Sequence, residues 1–116
     1  MSDQALFRLA DASAAVSAIR DAGQRPFTVC HARGTMVLEL YAPRGTDDQK
    51  PHSQDELYIV AKGSGTFVCA GEHHEFGPGD VLFAAAGVEH RFVEFTDDFE
   101  TWVVFYGPEG GEIPHG

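Results

Sequence analysis

The apolar positions of this chain follow one short helical period and then a long series of strand-like segments. Ala12, Ala15, Val16 and Ile19 recur at the spacing of a single helix face, with Asp11 placed to cap the start and Gly23 to stop the run. This predicts a helix over about 11–22. Pro26 then enforces extended backbone. Eight segments with strand character follow, at about 27–31, 35–41, 56–61, 66–69, 74–76, 81–84, 90–95 and 101–106. Turn chemistry separates them, as in Arg33-Gly34, Gly63-Ser64-Gly65, Ala70-Gly71-Glu72 and Gly77-Pro78-Gly79-Asp80. Many short strands with regular turns predict a single all-β domain, a sandwich or barrel over about 27–106, preceded by the helix. Residues 107–116 are rich in Gly, Pro and Glu and read as a loose tail.

Several segments are apolar on both faces. Met36-Val37-Leu38, Leu57-Tyr58-Ile59-Val60 and Trp102-Val103-Val104-Phe105-Tyr106 do not alternate as a strand wetted on one side would. One short helix cannot cover all of that surface, so the pattern predicts a homodimer that buries a sheet face.

Composition narrows the partners. The chain has 116 residues, 43% of them hydrophobic, which is enough for one domain with a real core. A net charge of −10 argues against nucleic acid, whose phosphates require clustered Lys and Arg. No apolar run reaches membrane-spanning length, and Met1-Ser2-Asp3-Gln4 has no basic start ahead of an apolar stretch. The expected compartment is therefore the cytoplasm, and Cys30 and Cys69, on different predicted strands, are expected to be buried free thiols.

The candidate chemistry lies in two stretches. One is Lys50-Pro51-His52-Ser53-Gln54-Asp55-Glu56, followed by Gly63; the other runs from Gly79 through Ala85 and Gly87 to His90 and Glu94. Side chains two apart on a strand share a face, so His52, Gln54, Glu56 and Tyr58 form one group and His90, Phe92 and Glu94 another. If both faces line one interior, His52, Glu56 and His90 converge. Two imidazoles and a carboxylate suit a divalent first-row metal, with Zn, Fe, Mn, Ni and Cu all chemically acceptable. Gln54 is a weaker fourth donor through its amide oxygen. Glu94 and Tyr58 are the weaker acid–base candidates. His73 and His74 are adjacent and face opposite ways, and His31 and His115 have no partners in sequence, so these four read as structural or solvated.

The spacing resembles the two-motif signature of the cupin family. The first family motif places a histidine, three or four residues, a glutamate, six residues and a glycine, which His52, Glu56 and Gly63 match. The second places a glycine, a Pro-x-Gly and a histidine, and Gly79, Gly87 and His90 match while Ala85 replaces the proline and Glu94 the final asparagine. Lys50 stands where the family has its first histidine, so one of the four usual ligands is missing. The resemblance covers roughly residues 34–106. It implies a double-stranded β-helix, or jelly-roll, barrel and a divalent transition metal as cofactor.

Three functions follow as expectations. The first is a metal-dependent enzyme, such as a dioxygenase or isomerase, acting on a small polar or anionic molecule. The second is a non-catalytic module that binds a small ligand or metal. The third is a metal-free sugar epimerase using Lys50 and His52 for proton transfer.

Overall fold

The computed structural model describes residues 3–114. Helix α1 (Leu9–Asp21) leads into eight strands: β1 (Phe27–Arg33), β2 (Met36–Tyr41), β3 (Asp55–Lys62), β4 (Gly65–Cys69), β5 (Glu72–Phe76), β6 (Val81–Ala84), β7 (His90–Val93) and β8 (Glu100–Tyr106). Each predicted strand is present. The helix begins two residues before Asp11, with Arg8 at the N-cap and no side-chain cap there, while Asp11 lies in the first turn. A carboxylate in that turn complements the exposed N–H groups without capping them. Gly23 ends the helix as expected, at φ +75°, where its N–H donates to the Arg20 carbonyl.

The strands form two antiparallel sheets, one ordered β1-β2-β8-β3-β6 and the other β5-β4-β7. This is the jelly-roll arrangement that the family resemblance implies, and it narrows the sandwich or barrel expected from the strand pattern. Alternation explains the layers. Glu56, Tyr58 and Val60 of β3 turn inward with Val103 of β8, opposite Phe67 and Phe92 of the smaller sheet. Aromatic rings dominate the space between. Phe92 meets Tyr58 edge-on with centroids 4.9 Å apart and meets Phe99 at 4.8 Å. Pairs of this kind add about 0.5–1.5 kcal/mol each beyond their area burial.

The outer face of the larger sheet carries the second set of apolar residues. Helix α1 covers part of it, packing Ala12 and Val16 against Leu40 and Ala42, with Cys30 and Trp102 at the margin. Glu100 fastens the helix to the barrel. Its carboxylate accepts from Ser13 Oγ at 2.8 Å and lies 3.7 Å from Arg44 and 3.9 Å from Lys62. The remaining outer face, on β3 and β6, has no helix over it. Ile59, Val81 and Phe83 are there 40%, 60% and 51% exposed.

Part of the tail is tied down, contrary to the loose segment that its composition predicts. Asp55 accepts the N–H groups of Ala86 and Glu112, at 2.9 Å each, and the Gly110 N–H reaches the Ser53 carbonyl at 2.7 Å. Gly111 allows the approach, because a Cβ there would stand 2.8 Å from Asp55 Oδ1. Composition reports the lack of regular structure in 107–114 but not these bonds. Cys30 and Cys69 are both free thiols, on β1 and β4. No described helix is long and apolar enough to cross a membrane.

Candidate metal centre

Three predicted donors meet at one end of the barrel. One ligand atom from each of His52, Glu56 and His90 lies within 4.8 Å of the others. Glu56 comes from β3 of the larger sheet and His90 from the first position of β7 in the smaller one. The site therefore bridges the two sheets. His52 precedes β3 in a loop and is fixed from outside, since its carbonyl accepts the Gly87 N–H at 2.8 Å. Gly87 makes that contact at φ +76° in the β6–β7 turn, a conformation that favours glycine.

The protonation pattern at His90 is informative. Its Nδ1 lies 2.8 Å from the Val88 carbonyl, which can only accept, so Nδ1 carries the proton. In the neutral ring Nε2 is then a bare lone pair, and it stands 2.5 Å from Glu56 Oε1. His52 Nδ1 stands 3.0 Å from the same oxygen. Side-chain exposure is 1% at both Glu56 and His90 and 37% at His52. His90 Nε2 and Glu56 Oε2 are both buried without a hydrogen-bond partner. Two lone pairs facing each other away from water repel unless a proton or a metal ion lies between them. These orphaned atoms, with their N,O donor chemistry, fit a divalent metal.

Electrostatics agrees with a site built for positive charge. Burial acts to raise the Glu56 carboxyl, but hydrogen bonding and charge from His52 and His90 overcome it and hold the group below the usual carboxylate range. Burial acts to lower the His90 imidazole, and contacts with Glu56 and the Val88 carbonyl raise it instead.

The other candidates are placed differently. Tyr58 is fully buried beside the cluster, its ring 6.0 Å from that of His90, and its hydroxyl donates to Gln49 Oε1 at 3.1 Å. Burial, reinforced by the Glu56 charge, raises the phenol well above its ordinary value, so it stays protonated and can act only as a donor. Gln54 lies just before β3, which begins at Asp55, and lines the same cavity as His52 and Tyr58. Its amide nitrogen donates to the carbonyls of Thr35 and Gly107, at 3.0 and 2.9 Å, which makes it a strut between β2 and β8. Glu94 is a clear correction. Strand β7 stops at Val93, and Glu94 takes φ +52° with an exposed side chain. Glu94 neither belongs to the His52–Glu56–His90 group nor lines the adjoining cavity. His73 and His74 are exposed on β5, and His31 stacks at 5.3 Å on Phe7; His115 lies outside the described residues.

Beside the cluster opens a cavity of about 360 Å³. His52, Tyr58, Val103 and Phe105 line it together with Arg25, Phe27, Tyr41 and Gln49. Lys50 borders a neighbouring basin that shares Arg25, Phe27, Tyr41 and His52 with this cavity. The wall also contains Glu39, which the motif spacing does not identify. Burial pushes its carboxyl up to about 7, against the opposing pull of His52. The signal was a lone acid among Val37-Leu38-Glu39-Leu40-Tyr41, on the face opposite Leu40.

The comparisons with known proteins agree on the fold. The family model for the cupin domain matches residues 37–105. An uncharacterized protein of Streptomyces coelicolor is 41% identical over 76 residues, covering 64% of this chain and 72% of that protein. A cupin 2 conserved barrel domain protein from Salinispora arenicola superposes with a TM-score of 0.64 at 17% identity, over 91% of both chains. A salicylate 1,2-dioxygenase from Pseudaminobacter salicylatoxidans superposes with a TM-score of 0.71 at 18% identity, over 85% of this chain and 34% of that one.

Proposed function

The chain belongs to the cupin family, and from that premise we propose that it is a metal-dependent enzyme whose His52, Glu56 and His90 hold a divalent transition ion and whose cavity admits a small polar or anionic molecule. The observation that carries this reading is the buried, partnerless pair His90 Nε2 and Glu56 Oε2, grouped with His52, which itself lines the adjoining cavity. When bound, the ion would polarise a ligand oxygen or activate water or dioxygen. The chain's own residues do the rest. The Val88 carbonyl holds His90 in the donor tautomer, and the Tyr58–Gln49 hydrogen bond keeps a neutral phenol against the site. Arg25 and Lys50 put positive charge at the entrance of an otherwise acidic protein, which favours anionic ligands. Zinc, iron, manganese, nickel and copper all suit the donor set.

One observation favours a second reading, a non-catalytic binding module. Of the two acid–base candidates read from the sequence, Glu94 lies away from the site and Tyr58 is held protonated. Reproducible turnover would separate the enzyme from the binder. The epimerase reading is weaker, because Lys50 borders the neighbouring basin and does not line the cavity beside the cluster.

The test is elemental analysis of protein purified without added metal. About one ion per chain is expected, falling below about one tenth in His52→Ala and in Glu56→Gln, with the circular dichroism of the folded protein retained. Unchanged metal content in both variants would remove the ligand assignment.

A further inference from the structure

We propose that the cavity takes a small carboxylate that also bears a hydroxyl or amino group, with Arg25 engaging the carboxylate at the mouth and Glu39 accepting the hydrogen bond of that second group. The proposal rests on reading this cavity as the ligand chamber of the metal site, and it names the ligand class.

Glu39 is fixed by register. It pairs with Val103 of β8, which in turn pairs with Tyr58 of β3, so the three side chains form one row across the inner face of the larger sheet. Leu40, next in sequence, packs outward against α1. The carboxyl of Glu39 therefore projects into the chamber, half-buried, and no hydrogen bond from the described residues holds it. A carboxylate inside a barrel without a protein donor pays desolvation with nothing in return, unless water or a ligand supplies the donor. Its charge environment includes His52, Glu56 and Arg25. Arg25 lines the same chamber, and the two form no ion pair among the described residues. The guanidinium is the group suited to a carboxylate. Phe27, Val37 and Phe105 supply apolar wall between these two poles, suited to a hydrocarbon body.

A matched set of probes separates the contributions: mandelate, phenylglycine, phenylacetate and benzyl alcohol. They share a ring and differ in the carboxylate and the donor group. Each is titrated calorimetrically at pH 8 into protein of measured metal content. Mandelate or phenylglycine should bind at least about ten-fold more tightly than phenylacetate, with benzyl alcohol weakest. Glu39→Met should abolish the preference, so that mandelate and phenylacetate bind with equal affinity. Glu39→Gln, which preserves shape, should weaken phenylglycine more than mandelate. Arg25→Met should weaken all three carboxylates by about ten-fold and leave the preference intact. No preference in the wild-type protein, no binding by any of the four, or a preference that survives Glu39→Met overturns the proposal. Metal content is read independently. A preference in protein that never carries metal would remove the metal reading and keep this one, whereas stoichiometric metal without a preference would do the reverse.

Discussion

Glu39 shows what a single residue can hide. Its strand is apolar enough to read as core, and the family spacing does not mark it, so only the register with Val103 reveals that it faces the cavity. Its raised pKa has a testable sign. The folded state favours the protonated carboxyl up to about pH 7, whereas an ordinary glutamate ionises near 4.5. Stability linked to this group is therefore present below about 4.5 and lost as pH rises towards 7. In metal-free protein, the difference in unfolding free energy between Glu39→Gln and wild type should move in favour of the variant by on the order of 1–3 kcal/mol between pH 5 and pH 8. Urea denaturation at the two pH values measures it, and a difference independent of pH would contradict the buried-carboxylate account. The metal donors were legible for the opposite reason. His52, Glu56 and His90 sit at fixed offsets from glycines, and the conformations of those glycines fix the offsets. Glu94 failed because alternation was extended one residue past the end of a strand, where a positive φ interrupts it.

Among the elements, strand positions were readable because hydrophobic period and turn residues agree, while the packing between elements was not. Gly63 illustrates the difference. In sequence it is a turn glycine at a family spacing. In the fold it has φ +82°, and a Cβ there would stand 2.7 Å from the Phe99 Cα and 2.6 Å from Thr96 Oγ1. The β3–β4 turn thus lies directly on the segment leading into β8, and backbone cannot yield as a flexible side chain can. Gly63→Ala should destabilise the protein by about 2–4 kcal/mol, strain and overlap together, against about 1 kcal/mol or less for Gly45→Ala, which has open space around it. Denaturant midpoints of the two variants check this, and equal losses would refute the close-packing explanation. The ties of the tail were invisible for a similar reason: backbone N–H groups of Glu112 and Gly110 donate to the Asp55 carboxylate and the Ser53 carbonyl, far away in sequence and with no local period.

At the scale of the whole molecule, the apolar excess on both strand faces is only partly resolved by the fold. Helix α1 takes the β1-β2-β8 side, leaving Ile59, Val81 and Phe83 uncovered next to the edge strand β6, which carries no Lys or Pro to discourage pairing. The expected outcome is a homodimer through this face. Light scattering at micromolar concentration should give twice the chain mass, and Phe83→Glu should halve it; a monomeric wild-type protein would leave the patch without that role. The centre itself joins the two sheets, with Glu56 on one and His90 on the other. An ion seated there would act as a rivet between the two leaves, which Asp47 also ties by accepting from the Tyr41 hydroxyl of β2 and the Phe92 N–H of β7. Its departure would leave Phe76 and Phe99 still stacked at 5.2 Å, so the leaves would part first at the mouth, and the barrel would open like a book along one margin while the rest of the binding stayed shut.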